Sequence, residues 1–439
     1  MSSLPASTPF SDPFAVPSLK LASELRVRPP ASKSMTCRGL IMGALSSTPV
    51  AIKNPLESED TLLTADALSK LGCSIEKSSD LWLVNGKNFG VNIDKSSEIH
   101  LGNAGTTMRL LTAVLCAKSI ACRITGSERM LQRPMADLIQ ALVDLGGEII
   151  SENENGYPPV KTGYLGLEGG VATIPGTISS QFVSGLLIAT PLARNNSIIR
   201  VEGEWVSRPY IAMTQAMLKR FRVDSRVGES AIFVGGRQNY ISPGTLEIEP
   251  DASSASYPLI LGALHGVPVH IEGLGKNSLQ GDTTLCHYLE QMGYTVEMSD
   301  LSITLTPTAK RVPLPKVNLS AIPDAAMTLC TLLAVTPGES HLFGLANLRV
   351  KECDRLKALE TELTKMGAHI TAYEDGFDIQ GIAIEKLKPT QITTYNDHRI
   401  AMCLALLGTL CPGTTIENPA CVQKSYPEFW DDLLGWLGF

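Results

Sequence analysis

A chain of 439 residues is longer than one ordinary hydrophobic core and predicts two or three domains of roughly 100–200 residues each. Hydrophobic residues make up 44% and charged residues 18%, which excludes a disordered chain. The 37 Lys plus Arg against 44 Asp plus Glu leave a net charge of −7, which argues against a nucleic-acid coat or a basic membrane-binding surface.

The first 20 residues hold four prolines and five serines, with Lys20 the only basic side chain. They lack the charged start and apolar middle of a secretory signal and the Arg content of a mitochondrial presequence, so they read as a flexible leader, with a plastid-type leader as a weaker reading. From there a phrase recurs along the chain: Leu, two residues, a bulky apolar residue, Gly, two residues, then Ile or Val. It appears at Leu68–Leu71–Gly72–Ile75 and Leu142–Leu145–Gly146–Ile149, then at Leu289–Met292–Gly293–Val296 and Leu363–Met366–Gly367–Ile370. Leu218–Phe221 is a copy with Arg222 in the Gly place, and Leu434–Leu437–Gly438 is a copy that meets the last residue. Successive copies lie 71 to 76 residues apart. Leucines three apart extend an apolar helical face, and Gly supplies the left-handed residue that ends it. The Ile or Val beyond opens strand pairs, as at Ile75–Glu76 with Trp82–Val84 and at Thr295–Glu297 with Ile303–Leu305.

A second phrase keeps the same period. Small or polar residues lead into apolar helices near Ser34, Thr106, Ser180, Ser254, Ala325 and His398. Each unit of about 73 residues therefore reads strand, helix, strand, helix, two strands. Six such units give an α/β protein, with two domains of three units as the natural packing and a six-unit solenoid as the alternative. No apolar run approaches the ~18–20 residues of a membrane span; the longest, Ser184–Ala193 and Ile400–Leu410, are interrupted. Ten cysteines without a CxxC pair, and histidines without metal-ligand spacing, point to reduced thiols and to no metal.

Helix N-termini attract anions through unpaired N–H groups and a partial positive charge. The predicted starts carry Lys33, Ser34 and Arg38; Asn103, Gly105, Thr106, Thr107 and Arg109; Ser179, Ser180 and Gln181; Asp324; and Asp397, His398 and Arg399. The helices of the first phrase add Arg129, Arg133, Ser207, Arg208, Lys351, Arg355 and Lys424. Taken singly, a Ser at a helix start is a cap, a surface Arg is solvated, and Asp324 and Glu352 are a cap and a salt-bridge partner. Their recurrence at one repeat phase is what suggests a site for a small polyanion bearing phosphate and carboxylate groups, which Arg and Lys suit. No GxxxxGK[ST] and no GxGxxG loop occurs.

These residues fall in motifs that resemble the enolpyruvylshikimate-phosphate synthase family. The motifs are Pro30–Ser34, Leu101–Thr106 with Arg109, Gln132–Met135, Ile178–Phe182, Asp251–Tyr257, Ile322–Met327, Arg349–Glu352 with Asp354–Leu356, and Tyr395–Arg399. The matching segments run from Pro29 to Lys424. The resemblance implies a two-domain inverse α/β barrel of six βαβαββ units, three per domain. One domain would take residues 1–30 plus 249–439 and the other 31–248, with the active site in the cleft between them and closure on the first substrate. It implies transfer of the enolpyruvyl group of phosphoenolpyruvate to the 5-hydroxyl of shikimate 3-phosphate, without cofactor, by a cytoplasmic monomer (or a plastid one in a photosynthetic eukaryote).

Carried over by motif, Ser34, Arg38, Ser179, Ser180, Ser207, Asn347 and Lys351 would hold shikimate 3-phosphate. Gly105, Arg133, Arg355, Arg399 and Lys424 would hold phosphoenolpyruvate, and Lys33 and Gln181 would reach both. Asp324 would bind shikimate 3-phosphate and take its hydroxyl proton; Lys33 or Glu352 would protonate the methylene carbon. Ala31, Thr36–Cys37 and Leu110 depart from the commoner pattern, and Leu110 stands where many glyphosate-sensitive members have Pro. A sister transferase acting on UDP-N-acetylglucosamine carries a reactive loop cysteine that finds no match here. A non-catalytic anion-binding protein would have lost some of Lys33, Asp324, Glu352 or Arg399, all of which are present. A chain cut from a multifunctional polypeptide would keep the reaction.

Overall fold

The computed structural model describes residues 10–18, 21, 24–91, 93 and 97–439. It divides into two compact units, Ala31–Glu249 and Pro250–Phe439, the second joined by the N-terminal stretch up to Pro30. The boundary falls one residue later than the motifs place it. Glu249 stays with the first unit because its carbonyl accepts the Ser32 N–H at 2.8 Å.

In Ala31–Glu249 the helices are α1 (Lys33–Leu45), α2 (Glu59–Lys70), α3 (Gly105–Ala117), α4 (Ala136–Asp144), α5 (Ser180–Ala189) and α6 (Arg208–Arg220). Helices α1, α3 and α5 are buried nearly all round, α3 along its whole length, whereas α2, α4 and α6 keep one polar face in solvent. Three four-stranded sheets accompany them. One runs Thr245–Glu247, Val50–Lys53, Leu81–Asn85, Ser74–Lys77; a second runs Glu98–His100, Cys122–Thr125, Val160–Thr162, Ile149–Ser151; a third runs Gly170–Pro175, Ser197–Glu202, Ala231–Val234, Ser225–Val227. In each the first pair is parallel and the rest antiparallel.

The second unit repeats the plan with α7 (Ala252–His265), α8 (Leu285–Gln291), α9 (Pro323–Ala334), α10 (Arg355–Lys365), α11 (His398–Gly408) and α12 (Phe429–Leu437), of which α7, α9 and α11 are the buried ones. The predicted helix starts thus lie within two residues of those observed. The predicted stops hold as well. Gly72, Gly146, Gly293, Gly367 and Gly438 take φ between +87° and +97°, and Arg222 takes +60° in the copy that lacks Gly.

One feature of the connectivity was not visible in the repeats. The strand that precedes α1 along the chain, Leu25–Val27, does not join α1's unit but pairs in parallel with Val269–Glu272 within the second unit. The strand that precedes α7, Thr245–Glu247, pairs with Val50–Lys53. The first strands of these two repeats are exchanged, which is why the chain passes from one unit to the other twice.

The sixth repeat corrects the reading of residues 1–20 as a flexible leader. Gln391–Ile392 pairs in parallel with one edge of Thr415–Ile416, whose other edge takes a further strand. Phe14–Ala15 is that strand, antiparallel to Thr415–Ile416; the Val16 N–H donates to the Thr414 carbonyl at 3.0 Å, and the Phe14 ring lies 4.5 Å from that of Trp430. Residues 1–9, 19 and 20 of that expectation lie outside the described residues. All ten cysteines are free thiols, and no described helix is long and apolar enough to cross a membrane.

Candidate active site

In Ala31–Glu249 the starts of the buried helices are tied together. Ser32 caps α1, accepting the Met35 N–H, and Ser179 caps α5, accepting the Gln181 N–H at 3.2 Å. The Gln181 side-chain amide donates to Thr106 Oγ1 at 3.2 Å, joining α5 to α3. Thr64 Oγ1 on α2 meets Thr107 Oγ1 of α3 at 2.5 Å and donates to Cys37 Sγ of α1 at 3.6 Å. Three N-terminal turns therefore share one end of this unit.

Lys33 opens α1 and its ammonium lies 3.0 Å from the buried Asp60 carboxylate of α2. The sequence reading missed Asp60; its signal was the acidic first turn of α2 after Ser58. One turn further along α1, the buried Arg38 donates to Thr214 Oγ1 at 2.8 Å, Ser184 Oγ at 3.2 Å and the Ser34 carbonyl at 3.1 Å. These partners are all neutral oxygens. Burial pulls the guanidinium pKa down to about 10, with Tyr210 and Cys37 offsetting it slightly.

Gly105 and Arg133 fit one another closely. A Cβ on Gly105 would stand 2.5 Å from an Arg133 guanidinium nitrogen, so glycine is what allows the approach. Arg133 donates to the Asn103 side-chain and backbone oxygens at 3.1 and 3.3 Å. Its loop is fastened to α3 by Arg109, which donates to the Pro134 and Gly105 carbonyls at 3.0 and 3.2 Å. Ser180 is buried in the first turn of α5, and Ser207 is held at φ +54° immediately before α6, a conformation costly for a side-chain-bearing residue. Ser34 contributes its carbonyl to Arg38.

The other unit assembles a connected ionic network. Asp324, in the first turn of α9, is gripped by Arg355 at 2.9 Å through one oxygen and by Arg399 at 3.0 Å through the other. Arg355, buried at the start of α10, also reaches Asp397 at 2.8 and 3.2 Å and Glu352 at 2.8 Å. Burial pulls its pKa down, but Asp397, Glu352 and Asp324 more than reverse this and hold it well above the ordinary arginine value. Lys424 approaches Glu352 at 3.9 Å. Arg399 donates to Ser253 Oγ at 3.0 Å and Tyr257 Oη at 3.3 Å, bringing the first turn of α7 to those of α9 and α11. Asp397 caps α11 through the Arg399 N–H at 2.9 Å. It was read as part of a motif and not as the anchor of Arg355. Asn347 lies buried in the turn Ala346–Val350, and Lys351 follows it directly before Glu352.

So the structure gathers Asp324, Glu352, Arg355, Arg399 and Lys424 around one point. It pairs Lys33 with Asp60, Gly105 with Arg133 and Gln181 with Thr106. A model of the family described as EPSP synthase (3-phosphoshikimate 1-carboxyvinyltransferase) matches residues 19–433. The chain belongs to the EPSP synthase family. It is 40% identical over 415 residues to the 3-phosphoshikimate 1-carboxyvinyltransferase of Xenorhabdus nematophila, covering 92% of this chain and 94% of that one. The enzyme of the same name from Haemophilus influenzae strain PittGG is 40% identical over 420 residues, covering 94% and 96%. Among solved structures, the EPSP synthase of Acinetobacter baumannii superposes with a TM-score of 0.77 at 26% identity over 97% of each chain. The enolpyruvyl transferase NikO of Streptomyces tendae shares the fold at a TM-score of 0.75, with 17% identity over 96% of each chain. The fold of the EPSP synthase family, a two-domain inverse α/β barrel, is that of this chain.

Proposed function

We propose that the chain transfers the enolpyruvyl group of phosphoenolpyruvate to the 5-hydroxyl of shikimate 3-phosphate and releases phosphate, as the names of its relatives imply. The observation that carries this reading is the Asp324 carboxylate held between Arg355 and Arg399. A base beside two guanidinium groups can serve an acceptor hydroxyl while the anionic donor binds next to it.

In the addition step the 5-oxygen bonds to the enol carbon, Asp324 takes the hydroxyl proton, and the methylene carbon gains a proton to become methyl. Lys33 or Glu352 supplies that proton. Elimination returns a methyl proton to the group that supplied it, reforms the double bond and breaks the carbon–oxygen bond to phosphate, which leaves with the proton that Asp324 took. Arg355, Arg399, Lys424, Arg133 and the Gly105 backbone hold phosphoenolpyruvate in this reading. Ser34, Arg38, Ser179, Ser180, Ser207, Asn347 and Lys351 hold shikimate 3-phosphate, and Gln181 touches both. Arg38 supports the assignment most directly, since a buried cation bonded only to neutral oxygens gains from an incoming anion. Lys33 and Asp324 belong to different units, so the reading requires both units to serve one pair of substrates.

The test is phosphate release from phosphoenolpyruvate with and without shikimate 3-phosphate, in a chelator. Release that needs both substrates, and falls by about 100- to 10,000-fold in Asp324→Ala, is expected. Release independent of shikimate 3-phosphate, or unaffected by the substitution, would overturn the reading.

A further inference from the structure

A buried carboxylate outside the residues assigned above, Glu362, lies two turns along α10 from Arg355. Both its oxygens accept from Lys365 Nζ, at 2.8 and 2.9 Å. Oε1 also accepts from Tyr395 Oη at 2.8 Å, and Oε2 from the Thr393 N–H at 3.2 Å. The lysine is a neighbour on the same helix. The other two donors belong to the segment that leads into α11.

That segment is strained. Tyr395 and Asn396 are consecutive non-glycine residues at φ +54°, each in the left-handed region that side chains disfavour. Besides Glu362, the segment is held by Asn418, whose side-chain amide donates to Asn396 Oδ1 at 3.0 Å, and by the Asp397 N–H donating to the Thr394 carbonyl at 2.9 Å. Burial, followed by the contact with Glu362, pushes the Tyr395 phenol up to about 12 and keeps it a donor. The residue after Asn396, Asp397, receives Arg355, and two residues further on Arg399 turns to Asp324. Helix α10 therefore grips the approach to α11 at two places, through Arg355 on Asp397 and through Glu362 on Thr393 and Tyr395.

We propose that Glu362 is a positioning residue, which holds the left-handed turn at Tyr395–Asn396 and so sets the placement of Asp397, Arg355 and Arg399 for the phosphoenolpyruvate anion. Glu362 contributes no atom to the reaction. The assignment of that anion rests on the function proposed above, whereas the placement of Arg355 does not.

The experiment keeps these separate. The Arg355 Nε–H, bonded to Asp397 at 2.8 Å, gives a proton–nitrogen NMR signal that is assigned by its loss in Arg355→Lys. In Glu362→Gln this signal moves, and in Tyr395→Phe, whose side chain is already partly exposed, it moves the same way by less. Phosphate-release kinetics then show KM for phosphoenolpyruvate raised roughly 5- to 10-fold in Glu362→Gln and about 3-fold in Tyr395→Phe, with KM for shikimate 3-phosphate within about twofold. Adding Tyr395→Phe to Glu362→Gln produces little further change, because both remove one link. An Arg355 signal that stays in place in both variants overturns the proposal, whatever the turnover. So does an equal rise of both KM values together with a fall in thermal midpoint, since that is general loosening. A wild-type protein that releases no phosphate sinks the enzymatic reading alone, and the Arg355 signal still decides the role of Glu362.

Discussion

Arg38 and Arg355 are both buried arginines near a helix start, one in each unit, yet their surroundings are opposite. Arg38 donates to two hydroxyls and a carbonyl, while Arg355 is enclosed by Asp324, Glu352 and Asp397. Burying an ion costs several kcal/mol unless partners compensate, so the two sites store that cost differently. Around Arg355 the charges compensate one another within the protein, which makes the arrangement rigid without ligand. Around Arg38 the compensation is incomplete, so an incoming anion would be stabilised there. The function proposed above, with an aligned base and polyanionic substrates, would use each.

The comparison breaks most visibly at Arg355. Arg355→Met leaves Asp397 and Glu352 buried without their main cation, and removing one partner of a buried pair typically costs about 3–5 kcal/mol. The expected outcome is a large fall in the denaturant midpoint along with loss of phosphate release. Unchanged stability would mean that the network is looser than its distances indicate.

Arg38→Met sharpens the contrast. It removes three hydrogen bonds worth about 1 kcal/mol each, but it also removes a desolvated charge, so ligand-free stability should change by no more than ~1 kcal/mol. What should vanish is the rise in thermal midpoint that shikimate 3-phosphate gives the wild type. The sign of the pH dependence follows from the lowered pKa. Because the folded state binds the Arg38 proton less tightly than the unfolded state does, the desolvation cost is fully present below about pH 10 and is relieved as pH rises from there toward the ordinary arginine range. Any stability advantage of Arg38→Met over wild type should therefore be greatest below pH 10 and shrink above it. An advantage that grows with pH would contradict the burial argument.

The same contrast marks what could be read from the sequence. Helix starts and stops were legible because they depend on neighbouring residues: Ser32 and Ser179 as caps, Gly72 or Gly293 as the left-handed stop. The candidate cations stand out for the related reason that they sit at repeated positions. Which carboxylate each would meet was not legible, although Asp324 and Glu352 were themselves singled out. Asp397 lies 42 residues from Arg355, and nothing local marks a carboxylate as the partner of a distant arginine. Leu25–Val27 and Thr245–Glu247 stand where the repeat places a strand before a helix, and a three-residue strand carries too little pattern to name its neighbour. Phe14–Ala15 was hidden among prolines and serines, and its partner Thr415–Ile416 lies too far along the chain for any local pattern to mark it.

The two units also differ, more faintly, at the ends of their outer helices. In the second unit all three outer helices stop at glycine: Gly293, Gly367 and Gly438. In the first, Gly72 and Gly146 do so while Arg222 takes the same left-handed turn at φ +60°. Its side chain is exposed. An L-residue in this conformation costs roughly 1–2 kcal/mol, part of which glycine gives back through its freedom in the unfolded chain. Arg222→Gly should therefore raise stability by about 0.5–1 kcal/mol, seen as a higher urea midpoint with an unchanged slope. The converse, Gly72→Ala, should lose more than that, because its Cβ would also stand 2.3 Å from the Asn88 carbonyl oxygen. If Arg222→Gly were instead destabilising, the Arg222 side chain would be making an interaction that outweighs its backbone cost, and the irregular copy of the repeat would be a retained contact.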